Sequence, residues 1–166
     1  MSKSVRMKGG RMLLSILKML HVLAVVLWVG GMMFMRWFLH PALLHLSGPQ
    51  RIVFVHAVLT RFFRGVLLAC VVILATGAAM LFQIFKVVGA EGTSLLIPWY
   101  WIALAAAGLV MIGIFLFIRF VLYVRLSDAI RFTVWDKAAR LAARIGFLAM
   151  INLWLGIGLI CLMLLA

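Results

Sequence analysis

The sequence predicts an all-α integral membrane protein: an antiparallel bundle of four transmembrane helices, with an amphipathic lead-in to the second. Three observations carry this. Of the 166 residues, 68% are hydrophobic and the mean hydropathy is +1.28, more apolar surface than a soluble domain of this size can hide. The runs 65–85, 92–118 and 145–166 contain no charged residue over a spanning length. Cations stand at the ends of these runs, where an apolar helix meets the headgroups.

The first span, 12–39, has a shorter uncharged centre, 19–35, flanked by Lys18 and Arg36. Their long stems let the ammonium and guanidinium reach the interface while the helix spans. A basic start before an apolar run also suits a signal peptide. The run continues through Gly30 and Gly31 without a small-residue cleavage pattern, so it reads as an uncleaved span. Pro41 bends or ends this helix, and Ser47-Gly48-Pro49 marks a turn, with Pro49 suited to a first helical turn.

Residues 51–64 alternate Arg51, His56, Thr60, Arg61 and Arg64 with Ile52, Phe54, Leu59 and Phe62, which predicts the amphipathic lead-in. Span two follows over 65–88, and 88–93 reads as a short loop around Glu91. Span three covers 97–126 and opens on the aromatics Trp99, Tyr100 and Trp101 at headgroup depth. Residues 128–144 read as a charged helix leading to span four, 145–166. No internal repeat is visible, the short connections imply up-down topology, and the whole reads as a single domain.

The net charge of +13, with only three acidic residues, does not indicate nucleic acid, because the cations flank every span instead of forming an arm. The lipid bilayer is the implied partner. Ten of the 16 basic residues lie on the face of the two longer connections: Arg36, Arg51, Arg61, Arg64, Arg119, Arg125, Arg131, Lys137, Arg140 and Arg144. That asymmetry favours termini on the outside. Cys70 and Cys161 fall near opposite ends of parallel spans, a depth difference on the order of 15 Å, so they are expected as free thiols.

His21 is the residue most in need of explanation, since an imidazole inside a span needs a partner. Lys18, His21, Val25, Trp28, Met32 and Arg36 fall within an arc of roughly 80°, which predicts that they face the bundle interior. Gln83 and Asn152 are also expected as interior polar groups, hydrogen-bonding between helices. Alternating topology brings Met19, Met80, Cys161 and Met163 to the same membrane face as His21. Soft sulfur donors beside an imidazole suit Cu(I), and imidazole also suits haem iron. An interhelical hydrogen bond serves His21 equally well, and eleven methionines are expected as filler in so apolar a chain. His40, His45 and His56 gather towards the other face with no compact metal spacing. Gly30, Gly31, Gly77, Gly108 and Gly156 would let helices approach closely. No nucleophile–base pair, carboxylate dyad or phosphate loop is present, so the chain does not read as an enzyme of those types.

Leu20-His21-Val22-Leu23-Ala24, Leu27-Trp28-Val29-Gly30-Gly31-Met32 and Leu39-His40-Pro41-Ala42-Leu43 resemble the first helix of small CopD-like (copper-resistance protein D) membrane proteins. Arg61-Phe62-Phe63 with Ala75-Thr76-Gly77, Gly108-Leu109-Val110-Met111, and Ile151-Asn152-Leu153-Trp154-Leu155-Gly156 are similar to later parts of that family. The resemblance implies a four-helix unit of the bacterial inner membrane, tied to copper resistance or uptake, for which His21 is the candidate metal ligand. Lys18-x-x-His21 with the following Trp and Gly pair also resembles the HemJ-like protoporphyrinogen oxidase group, which implies haem b in electron transfer or porphyrin oxidation. A third expectation is an accessory subunit, without cofactor, that self-associates or binds a membrane partner through its small-residue faces.

Overall fold

The computed structural model describes residues 3–91 and 99–165; the expected opening of span three at residues 97–98 lies outside them. The chain is an all-α membrane bundle, with no strand among the described residues. Four segments are long and apolar enough to cross a membrane: Met12–His45, Gly48–Gln83, Trp101–Arg131 and Trp135–Leu165. Only 17–22% of each apolar window is buried within the protein. The remaining apolar side chains, such as Leu68, Phe82, Phe147 and Leu165, face outwards, where only lipid receives them without cost. This is a multi-pass membrane protein.

Helix α1 (Lys3–Phe34) already takes in most of the basic tail and passes into a five-residue π-helical turn, Met35–Leu39. Pro41 explains the widening. It has no N–H to give the Trp37 carbonyl, and its ring crowds that oxygen. The His40 N–H bonds the Met35 carbonyl instead, five residues back. A single turn, α2 (His40–Ala42), and a 3₁₀ turn, Leu43–His45, follow before Leu46 becomes extended.

Helix α3 (Gly48–Glu91) is continuous over 44 residues. The lead-in and span two thus belong to one helical element. Of the loop expected over 88–93, residues 88–91 are helical and 92–93 lie outside the described residues. Gly89 is the one weak helix former among Val88, Gly89, Ala90 and Glu91. A lone glycine costs about 1 kcal/mol, too little to stop a helix already propagated by the residues before it. Ser47 Oγ donates to Gln50 Oε1 at 2.8 Å, and the Ser47 carbonyl accepts from the Arg51 N–H at 2.9 Å, holding the entry turn.

Helix α4 (Trp99–Phe117) runs into a second π-helical turn, Ile118–Leu122, and then α5 (Tyr123–Arg131). The residue added by a π turn rotates everything after it by about 100°. Ile118, Leu122, Tyr123 and Leu126 are all buried. The charged helix expected over 128–144 is interrupted at Phe132–Val134 before α6 (Trp135–Leu165). Val134 N–H bonds the Ala129 carbonyl at 2.9 Å and Thr133 N–H the Ile130 carbonyl at 3.0 Å, the paired bonds of a Schellman stop.

Thr133 holds the left-handed position of that stop with φ of 56°. A β-branched side chain there is strained. Thr133→Gly is therefore expected to raise unfolding stability by about 1 kcal/mol in a mild-detergent thermal melt.

The described contacts divide the chain into two compact units. One comprises Met1–Trp28 and Gly65–Leu96; the other comprises Val29–Arg64 and Ile97–Ala166. In the second unit α6 packs along α4 and α5, around Phe115, Leu126, Ala138 and Leu153.

Candidate functional site

His21, on α1, and Thr76, on α3, belong to the same unit. His21 Nδ1 lies 2.8 Å from Thr76 Oγ1. Thr76 is buried, and its hydroxyl donates to the Val72 carbonyl one turn back at 2.6 Å. A threonine inside a span returns its proton to the i−4 carbonyl because no water is there to take it.

That bond sets the histidine tautomer. Thr76 has one hydroxyl proton and it goes to Val72, so Thr76 Oγ1 accepts from His21 Nδ1–H. The Ile73 carbonyl lies 3.2 Å from the Thr76 hydroxyl and within hydrogen-bond reach of the imidazole, a second acceptor on the same side of the ring. His21 thus carries its lone pair on Nε2, the arrangement in which a hydrogen bond to one ring nitrogen prepares the other as a ligand. A cation can take that lone pair without displacing a proton.

Met80 and Gln83 follow Thr76 at i+4 and i+7, on the same face of α3, and both are half-buried. Gly77 leaves room beside the imidazole: a Cβ there would stand 3.9 Å from His21 Cε1, an ordinary contact. Met19 is exposed.

The other predicted residues are distributed differently. Trp28 and Asn152 are buried, but Asn152 Oδ1 meets no hydrogen-bond partner among the described residues, so the interhelical bond expected of it is not formed at that atom. Lys18 and Arg36 are exposed, which corrects their expected place in the bundle interior. Sharing His21's arc does not bury them, because their charged ends are favoured at the interface and their stems are long enough to reach it. Cys70 is a buried free thiol and Cys161 an exposed one; Cys161, Met163 and Asn152 belong to the second unit. His40 and His45 are exposed. Among the described residues no three His, Cys, Asp or Glu side chains gather as a metal site.

Of the glycines, Gly31 and Gly156 stand at close approaches, Gly31 against Phe62 and Gly156 against Val29 and Met111. Gly30 and Gly108 face open space.

Sequence reasoning missed a second polar cluster, in the other unit. His56 Nε2 lies 2.8 Å from Ser127 Oγ, and the imidazole stacks on the Tyr123 ring with centroids 4.9 Å apart. Ser127 donates to the Tyr123 carbonyl and Thr60 to the His56 carbonyl, while the Tyr123 hydroxyl meets Thr60 Oγ1. Tyr123 donates to Thr60 and His56 Nε2–H to Ser127, so each helix gives one side-chain donor and one relayed carbonyl to the other. The Arg119 guanidinium lies 5.1 Å from the Tyr123 ring centre. The legible trace is a repeated i, i+4 pair, His56/Thr60 and Tyr123/Ser127. With every hydroxyl proton committed, the cluster is a clamp between α3 and α5.

No family model, curated protein or solved structure matches this chain.

Proposed function

We propose that this membrane protein handles copper, taking Cu(I) as cargo on His21 Nε2. The observation that carries the reading is the 2.8 Å bond between His21 Nδ1 and Thr76 Oγ1, which orients the ring and leaves Nε2 as a base. Cu(I) favours imidazole and thioether over carboxylate, and Met80, one turn past Thr76, offers a thioether on the same helix face. The resemblance of 20–32 and 39–43 to CopD-like proteins points the same way. On this reading the chain resides in the bacterial inner membrane with its termini outside, and copper passes on by ligand exchange, without redox chemistry.

The test is competition for Cu(I) against a chromogenic chelator, with purified protein in mild detergent. Wild type is expected to withdraw copper stoichiometrically, and His21→Ala to leave it with the chelator while retaining its helical circular dichroism. Equal uptake by both proteins, or none by wild type, overturns the proposal. A Soret band and stoichiometric iron in the purified protein would move His21 to haem ligation instead.

A further inference from the structure

A cleft of about 440 Å³ in the second unit is lined by Phe117, Leu122, Ala143, Arg144, Phe147 and Leu148. Its walls are apolar except at Arg144. Arg144 stands at the head of the uncharged run 145–166, and Phe117 near the end of the uncharged run 92–118. The cleft therefore starts where headgroups end, and continues along hydrocarbon.

Above it on α6, Lys137, Arg140 and Arg144 fall at i, i+3 and i+7, one face of the helix, and all three are exposed. Phe147 and Leu148 extend that face into the cleft wall. Ala143, exposed beside Arg144, is the small residue that opens it. Among the described residues no carboxylate forms an ion pair with Arg140 or Arg144. A ladder of unpaired cations over an apolar cleft matches one kind of molecule in polarity and in order: an anion with an acyl chain directly beneath it.

We propose that this cleft binds an anionic phospholipid, with its phosphate at Arg144 and Arg140 and one acyl chain between Phe117 and Phe147. The site is independent of His21 and of copper. Charge complementarity names the occupant, since a zwitterionic headgroup would set its own ammonium against the ladder. Each Lys or Arg near such a headgroup is worth about fivefold in binding.

The test is titration of the detergent-purified full chain with phosphatidylglycerol, phosphatidylcholine or inorganic phosphate, read as bound lipid by native mass spectrometry. Wild type is expected to bind phosphatidylglycerol in preference to phosphatidylcholine, with inorganic phosphate failing to displace it. The double variant Arg140→Gln/Arg144→Gln should bind roughly 30-fold more weakly, two such steps combined. Ala143→Trp keeps the charge and fills the cleft, and should also weaken binding. Arg61→Gln/Arg64→Gln removes the same charge elsewhere and should change little. The proposal is overturned if the two lipids bind alike, if Ala143→Trp binds as wild type does, if the Arg61/Arg64 variant loses as much as the Arg140/Arg144 variant, or if free phosphate displaces the lipid.

Discussion

Thr76→Val is expected to weaken Cu(I) binding by about 10- to 100-fold, the usual cost of removing the group that orients a ligating histidine. Valine keeps the volume of threonine and removes its hydroxyl. His21 Nδ1 then loses its Thr76 partner and the ring keeps only the Ile73 backbone contact, so it is held less firmly and its proton can move to Nε2, where it blocks the metal. Thr76→Ser keeps the oxygen and should recover most of the affinity. The stability cost is small by comparison, on the order of 1 kcal/mol for one interhelical hydrogen bond in a membrane. Chelator competition and a thermal melt on the same samples separate the two effects. Loss of copper binding without loss of fold marks Thr76 as a positioning residue; loss of both in proportion would make it merely structural.

Gly156→Ala is expected to destabilise the protein by about 1–3 kcal/mol, the range for overfilling a packed core. A Cβ at Gly156 would stand 2.9 Å from Val29 Cγ2 and 3.1 Å from Met111 Cε. Met111 has a flexible end and can yield. Val29 is buried and β-branched, with a stiff χ1, so relief there requires backbone movement. Gly108→Ala meets nothing within 4 Å and should leave the midpoint unchanged or raise it through helix propensity. Thermal unfolding in detergent measures both; equal midpoints would mean that α6 does not depend on this close approach.

The spans were legible because lipid leaves no alternative for an uncharged run of about twenty apolar residues. The details that shape them were less so. The Schellman stop at 132–134 uses threonine at the left-handed position, not the glycine that announces such a stop. The π turns at 35–39 and 118–122 have no local signature beyond Pro41. Helical phase placed Lys18 and Arg36 on the arc of His21, but phase does not record how far a side chain can reach. His21 stood out because an imidazole in a span is costly alone. Its partner did not, because Thr76 lies 55 residues away and only folding brings the two together. The clamp of His56, Thr60, Tyr123 and Ser127 was hidden for the same reason.

The most direct test of the copper reading is ¹⁵N NMR of histidine-labelled protein, wild type against His21→Ala to assign the resonance, before and after Cu(I). His21 is expected to be protonated on Nδ1 in the metal-free protein, and Cu(I), which is diamagnetic, to shift Nε2 while the Nδ1–H signal persists. A metal-free His21 protonated on Nε2, or an Nε2 resonance unmoved by stoichiometric Cu(I), would contradict that reading.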